Sequence, residues 1–106
     1  EVSPGEDRLA SLAKRYLDKP ACPQKDVVER LRWPHLLNLS REYRVQGVLL
    51  VYQKFCDAHQ WDNPTLQRLF QELGIPTLSL EMDTTISVGQ FQTRLEAFIE
   101  MLEMGI

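Results

Sequence analysis

Two short apolar runs, separated by one helix-length segment, constrain the fold of this chain more than any other feature. The first run, residues 48–52 (VLLVY), is short and rich in valine and leucine, which favours a strand buried on both faces. The second run, residues 75–80 (IPTLSL), is equally short. Between them, Asn63 and Pro64 predict the start of a helix and Gly74 its end. Two strands joined in this way pair in parallel, and such connections are right-handed in about 98% of cases.

Helical periodicity occupies most of the remaining sequence. Residues 3–6 (SPGE) have the pattern of a capping box, and the helix that follows is predicted to end before Pro20. A second helix is predicted over residues 26–45, where Pro34 should kink or split it. Residues 87–90 (SVGQ) form another capping-box pattern at the start of a final helix. The apolar stripe of that helix, predicted to face the core, consists of Phe91, Leu95, Phe98 and Leu102.

The predicted order of elements indicates an α/β protein with two strands and about four helices. Residues 1–46 form a helical lead-in, and residues 47–106 form a strand–helix–strand–helix unit of one domain. Two parallel strands are too few for a stable sheet, so we expect part of an open, doubly wound sheet of the flavodoxin or Rossmann type. The other strands would lie in a longer parent chain or a partner. The chain begins with Glu1, which suggests a processed product or a piece of a longer protein.

Because those further strands would be missing, we expect the isolated chain to expose an apolar sheet edge or helix face. Exposed strand edges and apolar patches promote association between chains. The isolated chain is therefore expected to self-associate.

Composition argues against several classes of partner. The formal net charge is −3, and acidic and basic residues are interspersed, so no basic stripe suits nucleic acid. No apolar run approaches the roughly 20 residues of a membrane span, and the start of the chain lacks a signal-peptide pattern. The two cysteines have neither a zinc-site spacing nor a disulfide framework, so a reducing cytoplasm is expected.

Polar residues follow both predicted strands, at the edge where open parallel sheets bind ligands. After the first strand they are Lys54, Phe55, Cys56, Asp57 and His59, and after the second they are Glu81, Met82, Asp83, Thr84 and Thr85. The first turn of the last helix, residues 87–90, is expected at the same edge. Its free amides beside Gly89 suit an anion or a thioester oxygen. We therefore expect one cleft that includes Cys56.

The roles of individual residues remain open on sequence alone. Cys56 is either a small apolar residue packed beneath a loop or a functional thiol. It could pair with His59 for nucleophilic catalysis, although no third orienting group is evident. Arg94 could reach the strand-end edge or an adjoining domain, or form a surface ion pair with Glu96 or Glu100.

Three segments together resemble a known family. They are residues 47–57 (GVLLVYQKFCD), 74–81 (GIPTLSLE) and 89–102 (GQFQTRLEAFIEML). They are similar to the C-terminal end of the 2-hydroxyacyl-CoA dehydratase D-component family, which includes the benzoyl-CoA reductase subunits. The combination of KFCD with GQxxTR is its most specific part. Residues 13–17 (AKRYL) and Cys22-Pro23 extend the resemblance over most of the chain.

The resemblance implies a subunit of doubly wound α/β domains that holds a 4Fe–4S cluster through three cysteines near a coenzyme A thioester site. Cys56 matches the last of those cysteines, and thiolates are the usual ligands of such clusters. Lys54 and Asp57 would tune the cluster site, and Gln90 and Arg94 are further candidates for cofactor binding. An ATP-dependent iron–sulfur activator would deliver one electron, and the substrate would react as a radical anion.

Two cluster cysteines of the family have no counterpart here, and Cys22 is not one that the resemblance carries over. The resemblance therefore implies that this chain is inactive alone and carries no cluster. The parent enzyme, a dehydratase or a reductase, would need the remainder of its own subunit, a second subunit, the activator and the thioester. Two alternatives stay open: a non-catalytic packing module in which Cys56 is inert, and a double-cubane-cluster reductase of the same family.

Overall fold

A computed structural model of the protein describes residue 5, residues 7–85 and residues 88–105. Its elements, in chain order, are α1 (Arg8–Asp18), α2 (Arg32–Glu42), β1 (Val48–Gln53), α3 (Asp57–Glu72), β2 (Thr77–Met82) and α4 (Val88–Glu103). Within the described residues, four helices and a two-stranded sheet confirm the predicted α/β class. None of the described helices is both long and apolar enough to cross a bilayer.

β1 and β2 form a two-stranded parallel sheet with Val48 opposite Thr77. The Val48 N–H donates to the Pro76 carbonyl at 3.0 Å, and the Lys54 N–H donates to the Met82 carbonyl at 2.8 Å. Hydrogen-bonding direction alternates along a strand, so the even-numbered residues of β1 bond to β2 and the odd-numbered ones direct their N–H and C=O groups to the outer edge. The parallel unit predicted from the sequence is confirmed.

The helix between the strands begins earlier than predicted. We predicted its start at Asn63, but α3 begins at Asp57 and contains Pro64, and Cys56 occupies its N-cap position. Pro64 has no N–H to bond to the preceding turn, so α3 lacks one hydrogen bond there. The helix is stable because the free energy gained by burying its apolar face against the sheet is larger than this loss. Gly74, with a φ of 71°, follows the helix end as predicted.

The predicted helix over residues 26–45 is also shorter in the structure, where only Arg32–Glu42 is helical. Residues 26–31 form turns instead, because the Asp26 carboxylate accepts from the backbone N–H groups of Val27 and Arg32 at 3.0 and 3.1 Å. Pro34 does not split the helix. It lies in the first turn of α2, where backbone N–H groups have no partner within the helix.

The N-terminal cap of α1 is provided by Asp7. Its side chain accepts hydrogen bonds from the N–H groups of Leu9 and Ala10 at 3.0 and 3.1 Å. Of the two predicted capping boxes, Ser3, Glu6 and Ser87 lie outside the described residues.

The core lies between the sheet and α3. Leu50, Leu66 and Phe70 form a buried cluster, and α2 packs against it through Trp33 and Leu36. On the other face of the sheet, α4 approaches the start of β1: a Cβ on Gly47 would lie 2.9 Å from Leu102 Cδ1 and 3.0 Å from Phe98 Cζ. The predicted apolar stripe of α4 is half-buried there rather than fully buried, because the sheet it covers has only two strands.

Large apolar surfaces stay open. Leu49 and Val51 on β1 are each 45% exposed, so the prediction that this strand is buried on both faces is wrong. The reason is that α4 covers only part of that face, near Gly47. The apolar residues of α1, among them Leu9 and Leu17, are also largely exposed. The described residues therefore leave one sheet face and one helix face available for packing.

A buried carboxylate joins α2 to α3. Asp62, only 5% exposed, accepts hydrogen bonds from Arg32 Nη1 at 2.5 Å and from Trp33 Nε1 at 2.6 Å. His59 lies one turn before Asp62, and its pKa is lowered by burial and by the Arg32 charge, against a smaller opposing effect of Asp62. Asp62, Arg32, Trp33 and His59 are called the Asp62 cluster below, and the two bonds to Asp62 hold α2 against α3.

Removing the Asp62 carboxylate should destabilise the protein strongly. In Asp62→Ala, the mostly buried Arg32 guanidinium and the Trp33 indole lose their shared acceptor, which should lower the free energy of unfolding by about 3–5 kcal/mol. Urea denaturation measures this. Asp18→Ala is the matched control, because Asp18 pairs with Lys14 on the exposed surface and should contribute at most about 1 kcal/mol. Equal losses in both variants would contradict the proposed role of Asp62.

Gly47 should tolerate a methyl group poorly. In Gly47→Ala, the new Cβ would press against the side chains of Leu102 and Phe98, so we expect a loss of about 1 kcal/mol in the free energy of unfolding. Gly89→Ala is the control, since nothing lies within 4 Å of its Cβ position and α4 should gain up to about 1 kcal/mol. Melting temperatures that shift in the same direction would rule out the close approach of α4 to Gly47.

The pKa of His59 predicts a loss of stability in mild acid. Its folded pKa lies below the ordinary value, so the unfolded chain takes up the proton first as pH falls below about 6.5. Stability should therefore decline over that range and change little with His59 above it. His59→Gln should remove this part of the pH dependence, measured by thermal melting between pH 5 and 8. His35→Gln, at an exposed position of α2, should retain it.

Candidate functional site

A tight turn connects β1 to α3 and places Cys56. Phe55 adopts a φ of 65°, an unfavourable conformation for a bulky side chain, and its ring is 84% exposed. The Cys56 N–H donates to the Gln53 carbonyl at 3.0 Å, and the Cys56 carbonyl accepts from the Gln60 N–H at 3.1 Å. Backbone bonds on both sides thus hold Cys56, half-buried, between the end of the strand and the first turn of the helix.

An ion pair connects the ends of the two strands. Lys54 Nζ lies 3.6 Å from Asp83 Oδ2 and 5.4 Å from the centroid of the Phe55 ring. The pKa of Asp83 is lowered, chiefly by the Thr84 backbone N–H, which donates to it at 2.6 Å. Desolvation is the next largest effect and raises the pKa, whereas the Thr84 hydroxyl, the Lys54 charge and the Thr85 hydroxyl each lower it. This edge therefore carries an ionised carboxylate beside a cation.

The beginning of α4 lies at the same edge as both strand ends. One shallow cleft is lined by Gln53, Lys54, Phe55, Met82, Asp83 and Thr84. A second is lined by Met82, Asp83 and Thr84 together with Val88 and Phe91 of α4. The shared residues at the end of β2 connect the two clefts, as the parallel topology predicts. Cys56 lines neither of them, and only its neighbour Phe55 does, so the expected cleft that includes Cys56 is not formed by the described residues.

The other predicted site residues occupy different positions. Asp57, the first residue of α3, is exposed. Among the described residues, Lys54 forms its ion pair with Asp83 and not with Asp57. Gln90 is exposed in the first turn of α4. Arg94 does not point to the strand ends: its Nη2 donates to the Ser79 carbonyl, in the middle of β2, at 2.9 Å. Lys54 and Cys56 thus belong to the same strand-end segment, whereas Arg94 bonds to the middle of β2.

The alternative of a Cys56–His59 nucleophile finds no support in the described contacts. No hydrogen bond joins the two side chains among the bonds of the described residues, and His59 lines a groove together with Arg32 and Asn63.

The Asp62 cluster was missed by sequence reasoning. Asp62 stands beside Asn63-Pro64, which suggested a helix start, and its partners lie 29 and 30 residues away, beyond any local pattern.

The donor set at the Cys56 edge fits one ligand of a metal cluster. Among the described residues, no three His, Cys, Asp or Glu side chains lie close enough to hold a metal ion. The second cysteine, Cys22, is exposed between α1 and α2. The N-terminus of α3 directs free N–H groups and the positive end of its dipole towards Cys56, which favours a negatively charged group there. A cluster at this position would need further ligands from another part of the protein.

Comparison with known proteins gives a consistent result. The family profile of 2-hydroxyglutaryl-CoA dehydratase, D-component, matches residues 1–102. The chain is 32% identical over 95 residues to the lactoyl-CoA dehydratase subunit beta of Anaerotignum propionicum. This aligned segment covers 89% of this chain and 25% of that protein. It is 31% identical over 92 residues to the (R)-phenyllactyl-CoA dehydratase beta subunit of Clostridium sporogenes, covering 86% and 24%.

Two subunits of one enzyme are also similar to the chain. The (R)-2-hydroxyglutaryl-CoA dehydratase of Acidaminococcus fermentans matches through its subunit beta, at 32% identity over 78 residues, and through its subunit alpha, at 28% over 102. The chain spans about a quarter or less of the length of these relatives. The profile match over nearly the entire sequence shows that this chain belongs to the 2-hydroxyglutaryl-CoA dehydratase D-component family.

Proposed function

We propose that this chain is the part of a 2-hydroxyacyl-CoA dehydratase subunit that supplies one cysteine ligand, Cys56, to a 4Fe–4S cluster. The observation that supports the proposal is the position of Cys56 between a strand end and a helix N-terminus, in the turn next to two connected clefts at the strand ends. Family membership supplies the type of reaction, since the named relatives are dehydratases of hydroxyacyl-CoA thioesters.

Cys56 suits a ligand better than a core position. Its backbone is fixed on both sides by hydrogen bonds to Gln53 and Gln60, while its side chain is only half-buried. Cysteine thiolates hold iron–sulfur clusters, and a half-buried side chain on a fixed backbone would allow such a bond. The remaining ligands would come from residues of the same subunit outside this chain, in the portion that makes up about three quarters of the relatives.

The neighbouring charges would adjust the properties of the cluster site. Lys54, held by Asp83 at the strand ends, places a cation two residues from Cys56, and Asp57 places a carboxylate next to it. Charges and hydrogen bonds around a metal centre shift its potential and orient its ligands. Gln90, in the first turn of α4 on the same side of the sheet, would contact a bound cofactor or thioester. Arg94 would act on the sheet instead, through Ser79.

When bound, the cluster would supply single electrons for radical chemistry on a coenzyme A thioester, leading to elimination of water or to reduction. The two connected clefts next to the Cys56 turn would form one wall of the thioester site, and the rest of the subunit the other. We further propose a second, homologous subunit as partner, since both subunits of one relative match the chain, and an ATP-dependent iron–sulfur activator as electron donor. The chain alone would be inactive, and free cysteines suit a reducing cytoplasm.

The cluster proposal predicts an iron defect without a folding defect. In a chimaeric subunit, this chain replaces the matching 95-residue segment of the lactoyl-CoA dehydratase subunit beta. Cys56→Ala in this chimaera should lose most of the cluster iron and lower activity by at least about 100-fold, because a ligand is removed. Its melting temperature should change little, because the side chain is only half-buried.

Cys22→Ala is the matched control, since Cys22 is exposed and is not proposed as a ligand. It should retain full iron and activity. If Cys56→Ala kept its iron and melted several degrees lower, Cys56 would be a packing residue, and the cluster proposal would be wrong. Iron analysis and thermal melting on the same preparations distinguish the two outcomes.

A further inference from the structure

Phe55 has a backbone conformation that its side chain does not favour. Its φ of 65° lies in the left-handed region, which glycine adopts readily and a bulky side chain adopts only under strain. Core packing does not explain the side chain, since the ring is 84% exposed. Strained residues of this kind are concentrated at sites that bind ligands. The exposed ring at the end of β1 therefore indicates a contact with a group from outside the chain.

Further apolar side chains line the same clefts. Met82 lines the first cleft together with Phe55, and it lines the second together with Val88 and Phe91 of α4. Met82 is 42% exposed and Val88 76%, so much of this apolar surface is open. The first cleft encloses about 380 Å³, within the roughly 300–1,000 Å³ that is usual for small-molecule sites. The clefts are therefore suited to an apolar group of a small molecule.

The charges that line the clefts balance each other. They belong to Lys54 and Asp83, whose side chains lie 3.6 Å apart. Asp83 is ionised at neutral pH, because the Thr84 backbone N–H above all lowers its pKa. A carboxylate on a bound ligand would meet this anion, and the one cation among the lining residues is already paired with it. The clefts therefore disfavour a ligand group that carries a negative charge.

We propose that the two connected clefts bind the acyl group of the coenzyme A thioester and select an uncharged, apolar acyl group, such as an aryl or branched alkyl group. Phe55 contacts this group, and Met82, Val88 and Phe91 exclude water from it, which favours apolar surface. The inference deepens the proposed function and rests on the thioester as the ligand. It does not depend on Cys56 as a cluster ligand.

Equilibrium binding of two thioesters tests the inference. The protein is the chimaeric subunit defined above, assembled with the second subunit of that enzyme. Calorimetric titration is carried out without an electron donor, so no turnover is needed. Phenyllactyl-CoA should bind at least about 10-fold more tightly than 2-hydroxyglutaryl-CoA, because the first carries an apolar ring and the second a further carboxylate.

Phe55→Gly separates ligand contact from folding. It should weaken the binding of phenyllactyl-CoA by about 10-fold or more, because the ring is lost. Its melting temperature should stay the same or rise, because glycine adopts a positive φ without strain. Trp61→Ala is the matched control, since Trp61 is also 84% exposed but lines neither cleft, and it should bind the thioester normally. Unchanged binding in Phe55→Gly would overturn the proposed contact.

Asp83→Asn tests the charge argument. The change leaves Lys54 without its carboxylate partner, so 2-hydroxyglutaryl-CoA should bind about 5–10-fold more tightly, while the affinity for phenyllactyl-CoA should change little. Glu72→Gln removes an exposed carboxylate at the end of α3, outside both clefts, and should alter neither affinity. If Asp83→Asn left the preference between the two thioesters unchanged, the charge argument would be wrong.

The results also separate this inference from the proposed function. Cys56→Ala should lose cluster iron but keep the same preference between the thioesters, so a failure of the cluster proposal would leave this measurement unaffected. Equal binding of both thioesters, or tighter binding of 2-hydroxyglutaryl-CoA, would overturn the inference alone. Binding of neither would contradict the proposed thioester site as well.

Discussion

The parallel pairing of β1 with β2 determines the rest of the structure. Parallel strands need a crossover, and α3 provides it, so both strands must end at the same edge of the sheet. The position of Cys56, the Lys54–Asp83 ion pair and the beginning of α4 all follow from this single arrangement. The pairing also has a cost, because a two-stranded parallel sheet satisfies only one side of each strand and leaves two edges to be covered by other groups.

The described residues compensate for a small core with polar contacts. Among the described residues, the buried apolar side chains are Leu50, Leu66, Phe70 and Leu80, together with Pro23 in a loop. The Asp62 carboxylate therefore matters more than a single side chain usually does, because its bonds to Arg32 and Trp33 hold α2 against α3. The same helix forms one wall of the groove beside β1. Losing the buried carboxylate would free α2 and open the groove at the same time.

The sequence predicted those parts of the fold that depend on local patterns. The two apolar runs identified both strands, and Gly74 marked the end of α3, because left-handed backbone at that position favours glycine. The predicted beginnings of α2 and α3 were wrong. Residues 26–31 form turns bonded to the Asp26 carboxylate, and Pro64 is tolerated inside α3, which packs against the sheet. Of the site, the turn around Cys56 could be predicted from the strand end.

Long-range contacts could not be predicted in this way. The Asp62 cluster joins residues about 30 positions apart, and nothing in the neighbourhood of Asp62 specifies Arg32 as its partner. Arg94 shows the same limit: the sequence allowed it to reach the strand ends or an adjoining domain, or to form a surface ion pair, but in the structure it bonds to the Ser79 carbonyl in the middle of β2.

Among the described residues, β1 pairs with another strand on one side only, and the same strand leads into the candidate site. β1 ends at Gln53, and the Gln53 carbonyl accepts from the Cys56 N–H at 3.0 Å. The position of Cys56 therefore depends on how firmly β1 is held in place. A strand paired on one side only has fewer hydrogen bonds to break and opens more readily than an interior strand. Completing the sheet at the outer edge of β1 would therefore also fix the Cys56 turn, because strand and turn share a backbone hydrogen bond.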